Sequence, residues 1–173
     1  TTNPGSLLAV AGGATMGTAY SNVVAPTNGL IVQGNVGIGT TNPGYKLEVV
    51  GGIYASGDIG AFSDRRLKTN IIPVTQALDK VCNITGYYYN RIDYDVLNEP
   101  EDKRYIGLIA QEVLQVVPEA VSYDKTKDRY GINYGNLAAL FVESMKEMRN
   151  EVHELRSTIE RQQQIIDKLM ANY

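Results

Sequence analysis

Ser63 and Lys68 stand five positions apart in the run Ser63-Asp64-Arg65-Arg66-Leu67-Lys68-Thr69-Asn70-Ile71. A hydroxyl beside an amine can do peptide-bond chemistry, the amine taking the proton while the oxygen attacks a carbonyl. The amine is a base only in its neutral form, so this chemistry asks for burial or neighbouring cations around Lys68. Arg65 and Arg66 are cations adjacent in sequence, but sequence does not say where their side chains point. Serine and lysine are common surface residues, so the spacing gains meaning only from its context.

Two peptide bonds flank the serine. Its hydroxyl oxygen reaches the carbonyl of Phe62 through a five-membered ring, whereas attack on its own carbonyl closes a strained four-membered one. Within one chain, geometry therefore favours the Phe62–Ser63 bond. A dyad acting on a neighbouring chain, or on an activated water, opens the Ser63–Asp64 bond as well, so the expectation is a cut flanking Ser63. The tetrahedral intermediate needs donors for its oxyanion. Asn70 and nearby amides are candidates that the sequence does not single out.

The pair sits where the chain changes material. Most of the 17 glycines precede Ser63, where charges are sparse, and nearly all acidic and basic residues follow it. A chain of 173 residues accommodates one ordinary domain or two small ones, and 43% hydrophobic residues exclude wholesale disorder. A net charge of -3 without a long basic run leaves no electrostatic footprint for nucleic acid and no attraction to an anionic membrane, so neither is expected as a partner. Cys82 is the single cysteine and His153 the single histidine. An intrachain disulfide is thus impossible, and no metal or other cofactor is expected. No stretch approaches the roughly 18 apolar residues of a membrane span, and the opening residues lack the basic-then-apolar pattern of a secretory signal. The expectation is a soluble fragment of something longer.

The first third repeats itself. Thr1-Thr2-Asn3-Pro4-Gly5 recurs as Thr40-Thr41-Asn42-Pro43-Gly44, and each copy is followed by an apolar alternation, Leu8-Ala9-Val10 and Leu47-Glu48-Val49. Between them, residues 29–39 alternate apolar with small or polar residues, which is strand patterning interrupted by turn-permitting glycines. Asn-Pro-Gly supplies a turn. Some sixty residues of this kind cannot bury a core alone, so neighbouring chains must supply it. The phrase Gly34-Asn35-Val36-Gly37-Ile38-Gly39-Thr40-Thr41-Asn42-Pro43 resembles the shaft repeat of phage tail fibres and related adhesins. An ordinary β-sandwich fragment is the alternative.

After Ser63 the patterning changes. Pro73 to Val81 has helical spacing, with Val74, Ala77, Leu78 and Val81 on one stripe. Ile84 to Tyr94 is rich in β-branched and aromatic residues and reads as a strand, its Tyr87, Tyr88 and Tyr89 suited to packing rather than to a carbohydrate. Asp93, Asp95, Glu99, Glu101 and Asp102 lack the ligand order of a calcium loop and read as a solvated loop. Tyr105 to Ala110 reads as a strand and Gln111 to Val117 as a helix stopped by Pro118. Val121 to Asn133 forms a hairpin around Asp124-Lys125-Thr126-Lys127-Asp128.

From Asn136 onward a long helix carries apolar residues at steps of four and three. Met145, Val152, Ile159, Ile166 and Tyr173 form one set; Phe141, Met148, Leu155, Gln162 and Leu169 form the other. This is a coiled-coil seam without proline or glycine, in which Gln162 is either a register device or a tolerated wet layer. His153 lies beside the seam and reads as a solvated helix residue. Heptads alone leave the strand number open between dimer and trimer.

The run from Ser63 resembles the entry motif of the intramolecular chaperone family that ends phage tailspikes, endosialidases among them, and phage tail fibres; a related domain occurs in the myelin regulatory factor. The resemblance continues through residues 86–90 (Gly-Tyr-Tyr-Tyr-Asn), 106–113 (Ile-Gly-Leu-Ile-Ala-Gln-Glu-Val), 117–121 (Val-Pro-Glu-Ala-Val) and 134–140 (Tyr-Gly-Asn-Leu-Ala-Ala-Leu). It implies an α+β homotrimer: a glycine-rich intertwined β-helical shaft over 1–62, a small globular autoprocessing domain over 63–135, and a coiled-coil helix over 136–173. It also implies a self-cleaving serine peptidase, without turnover, whose client is the preceding fibre segment. On that reading Ser63 is the nucleophile, Lys68 the base, and Phe62 and Asp64 flank the cut. The fibre belongs to a virion tail fibre or tailspike, and the chaperone is released in the host cytoplasm. The host receptor is not indicated. Rival readings are a non-cleaving trimeric clamp and a receptor-binding tip of a fibre or adhesin.

Overall fold

The computed structural model describes residue 10 and residues 12–172. The first copy of the Thr-Thr-Asn-Pro-Gly repeat and the terminal seam residue Tyr173 lie outside them. The chain divides into two units, Thr1–Ile59 with Asp93–Pro100, and Gly60–Ile92 with Glu101–Tyr173.

The first unit is built from three-residue strands. β1 (Ala14–Met16) pairs in parallel with β2 (Leu30–Val32), and β3 (Val36–Ile38) with β4 (Leu47–Val49). The alternation around Gly29–Gly39 thus becomes two strands separated by Gln33-Gly34-Asn35. The recurring Asn-Pro-Gly turn is tied back by Asn35, whose Nδ2 donates to the Pro43 carbonyl at 2.9 Å. Gly17 follows β1 because its backbone, at φ +126°, excludes most side chains, and a Cβ there would clash with the Gln33 side chain. No described residue of 10–59 is buried. Two-stranded sheets this short are marginal in water, and the described residues of this unit form no core of their own.

The second unit holds the core: Ala77, Val113, Ala120, Leu137 and Leu140 are buried, with Val74, Val81, Ile84, Leu108 and Ile132 packed against them. Its elements are α1 (Ala77–Cys82), the antiparallel pair β5 (Gly86–Asn90) and β6 (Arg104–Leu108), α2 (Ala110–Val116), the hairpin β7 (Val121–Asp124) and β8 (Arg129–Ile132), and α3 (Leu137–Met170). α2 ends before Pro118, whose ring cannot continue a helix. Asp124 closes the β7–β8 turn by accepting from the Thr126 amide at 2.8 Å. The fold is therefore mixed α and β, with small sheets and one long helix.

β6 ends at Leu108 rather than Ala110, which already belongs to α2, and two further boundaries differ from the sequence reading for local reasons. The first helix begins at Ala77 rather than Pro73, because Gln76 is left-handed at φ +54° and the Glu147 carboxylate of α3 accepts from the Ala77 and Leu78 amides at 3.0 and 2.8 Å. β5 stops at Asn90 because the chain beyond it turns on itself, with the Glu99 amide on the Tyr94 carbonyl at 2.9 Å.

α3 is 34 residues long, and Leu137, Leu140 and Ser144 are its buried positions. From residue 150 to residue 172 every side chain is exposed. At about 1.5 Å per residue the helix runs for about 50 Å, most of it exposed, with no described residue of the chain covering it.

Candidate functional site

Ser63 and Lys68 lie near the start of the second unit. Asp64 has extended backbone, φ -63° and ψ 133°, and caps a single 3-10 turn, Arg65–Leu67. The Leu67 amide donates to the Asp64 carbonyl and the Lys68 amide to the Arg65 carbonyl, each at 3.1 Å. Lys68 then resumes extended backbone, and its Nζ donates to Ser63 Oγ at 2.6 Å. Sequence neighbours five apart are thereby brought into contact.

Both groups are exposed, and Phe62 is fully so. The bonds on either side of Ser63 are open to whatever approaches them. Arg66 is taken by Asp64: its amide donates to Oδ1 at 2.8 Å, its Nε to both carboxylate oxygens at 3.1 Å, and its Nη2 to Oδ2 at 2.6 Å. The Arg66 side chain, and then its amide, hold the Asp64 carboxyl below the usual range, and Asp64 in return raises Arg66. Of the two arginines that could repel charge on Lys68, one is thus already neutralised by a carboxylate. Asn70 follows in a left-handed conformation, φ 51°.

Chemically, the contact is the one that general-base activation of a hydroxyl needs, provided the amine is neutral and the proton lies on Oγ. A cleft of about 760 Å³ elsewhere in the unit is lined by Asp79, Lys80, Tyr87 and Glu112 among others, and includes neither residue of the pair. The three consecutive tyrosines are spent on structure. Tyr87 donates to Glu112 Oε1 at 3.1 Å, Tyr88 lies under the Arg104 guanidinium at 4.0 Å, and Tyr89 stacks on Tyr105 with centroids 5.7 Å apart.

The residues expected to form a seam, Phe141, Met145, Met148, Val152, Leu155, Ile159, Ile166 and Leu169, recur along α3, each between 43% and 64% exposed, with the exposed Gln162 among them. His153 is exposed beside it. The sequence reading missed Asp64 as a cap, although an aspartate before a short polar turn is a recognisable capping signal. It also missed Glu147, which lies 70 positions from the amide it caps and carries no local signal.

Residues 63–122, the segment that includes the serine–lysine contact, match the peptidase family described as the chaperone of endosialidase. Over those residues the chain is similar to that family's chaperone domain. It is similar to the long tail fiber protein Gp37 of Salmonella phage S16, 30% identical over 86% of this chain and 20% of that protein. The long tail fiber protein Gp37 of Enterobacteria phage Ox2 is 31% identical over 69% of this chain and 50% of its own length. Beyond phages, the myelin gene regulatory factor-like A protein of Dictyostelium discoideum is 28% identical over 67% of this chain and 13% of its own length. The chain thus spans a fifth of the length of the S16 protein and half of that of the Ox2 protein.

Proposed function

We propose that residues 1–62 end a trimeric fibre shaft, and that 63–135 and 136–173 form an intramolecular chaperone. The chaperone trimerises, guides folding of the shaft, and frees itself by autoproteolysis beside Ser63. The observation that carries this reading is the 2.6 Å contact between Lys68 Nζ and Ser63 Oγ, within the segment that matches the chaperone family.

The logic is physical. Short parallel strand pairs without a buried residue must take their stabilisation from other chains, and aligning three chains costs ordering entropy before burial repays it. A helix with an unpartnered apolar stripe gathers three chains first and raises the local concentration of their shafts. The exposed dyad then gains from neighbouring chains the desolvation that a neutral Lys68 requires. In the reaction, Lys68 takes the Ser63 hydroxyl proton and Oγ attacks a carbonyl carbon flanking the serine. The carbon–nitrogen bond breaks, the departing amine takes the proton from Lys68, and water hydrolyses the ester to restore the hydroxyl. Loss of the chaperone leaves a shaft that cannot readily re-form, which traps it kinetically. The names of the long tail fibre relatives support a virion tail fibre as the place of the shaft; on this reading, with a tailspike as the other home for the shaft, the freed chaperone stays in the host cytoplasm.

The test follows freshly made chain on denaturing gels beside Lys68→Ala. The wild type divides into two bands as trimer accumulates, and the variant trimerises but stays whole; division of the variant at the wild-type rate removes Lys68 from the mechanism. One observation favours a second reading: Ser63 and Lys68 are both exposed in the single chain. If assembly also leaves them wet, the domain is a non-cleaving trimeric clamp, and both proteins remain whole in folded trimers.

A further inference from the structure

The five residues between Ser63 and Lys68 decide whether the pair can meet. An extended chain advances about 3.3 Å per residue, so five steps would separate the two Cα atoms by about 16 Å, beyond the reach of one lysine side chain. The turn Arg65–Leu67 removes that separation, and no residue of the turn is buried. Packing therefore does not hold it. Two backbone bonds of 3.1 Å remain, and a single 3-10 turn is marginal on such bonds alone.

What closes the turn is a side chain. Asp64 accepts the Arg66 amide at 2.8 Å, one of the turn's unsatisfied donors, and grips the same residue's guanidinium through Nε at 3.1 Å and Nη2 at 2.6 Å. Backbone and side chain of Arg66 are thus fixed by one carboxylate. The arrangement has a second consequence. An uncommitted Asp64 carboxylate would be available to pair with the Lys68 ammonium and favour its charged form, whereas the Arg66 fork occupies both carboxylate oxygens.

We propose, building on the autoproteolytic reading, that Asp64 is a positioning residue: clipped to Arg66, it folds Lys68 onto Ser63 and is kept from pairing with Lys68. It acts through the turn, since its hydrogen bonds run to Arg66 and not to the dyad. The charged groups in this run are Asp64, Arg65, Arg66 and Lys68.

Cleavage is timed by intact mass in the full chain for wild type, Asp64→Asn, Asp64→Ala, Arg66→Ala and the double variant Asp64→Ala/Arg66→Ala. Loss of a side-chain cap corresponds to slowing of about fivefold to tenfold in Asp64→Ala, with partial recovery in Asp64→Asn, whose amide oxygen still caps the turn. Arg66→Ala leaves the bonds beside Ser63 chemically unchanged, yet slows cleavage and moves the rise of its pH profile upward, because the freed carboxylate pairs with Lys68. The double variant is slowed no more than Asp64→Ala and regains the wild-type pH profile, the non-additivity of a coupled pair. Trimer content and thermal midpoint stay at wild-type values. Wild-type speed in Asp64→Ala, or an unmoved pH profile in Arg66→Ala, overturns the clip while leaving autoproteolysis standing. A folded wild-type trimer that never divides overturns both.

Discussion

The substitution Ile159→Asp places a carboxylate in the middle of the exposed stripe on α3. In the single chain Ile159 keeps 61% of its surface in solvent. Complete burial of such a side chain stabilises by about 1.5–3 kcal/mol, so covering the remainder is worth about 1–2 kcal/mol per chain and about 3–5 kcal/mol over three chains. That loss alone weakens trimer association by a factor of about a hundred to several thousand, before the cost of desolvating three carboxylates. The assay is sedimentation velocity over a dilution series in a Ser63→Ala background, so that every chain stays whole. Ser157→Asp, which adds the same charge to an exposed position off the seam, is the control. The account predicts a loss of trimer in Ile159→Asp at concentrations where the control remains assembled. Equal trimer content in the two refutes the seam.

Leu137 is only 1% exposed, so Leu137→Ala destabilises the globular unit by about 2–5 kcal/mol, measured as a lower urea midpoint, whereas Gln164→Ala on the free part of α3 leaves that unit's midpoint in place. Glu147 is held below the usual glutamate range by the Leu78 and Ala77 amides, so its stabilisation is complete above the ordinary value and is lost as pH falls through the lowered one. Between about pH 6 and about pH 3 the urea midpoint of the uncut chain therefore drops further than that of Glu147→Gln; parallel curves would show that the carboxylate does not tie α1 to α3.

Local rules made much of the second unit legible. Pro118 stops α2, the polar run at Asp124–Asp128 turns the β7–β8 hairpin, and the uninterrupted four-three spacing after Asn136 becomes α3. What sequence could not say depended on distant partners. The start of α1 is set by Glu147, and the parallel pairing of Val36–Ile38 with Leu47–Val49 has no counterpart in the alternation that marked each strand. The same division holds at the candidate site. Ser63 and Lys68 were conspicuous by type and spacing, but their 2.6 Å contact depends on a turn whose clip, Asp64 on Arg66, involves residues first considered only as a flank and a stray cation. The exposure of the pair was equally hidden, because solvent access belongs to the fold and its assembly rather than to a motif.

The most direct test of self-cleavage is the intact mass of freshly made wild-type chain beside Ser63→Ala, followed in time as each assembles. The account predicts that the wild type becomes two fragments whose masses meet at one side of Ser63, and that Ser63→Ala remains a single whole chain in an otherwise equal trimer. A folded wild-type trimer that stays whole, or a Ser63→Ala chain that divides at the same place, contradicts it.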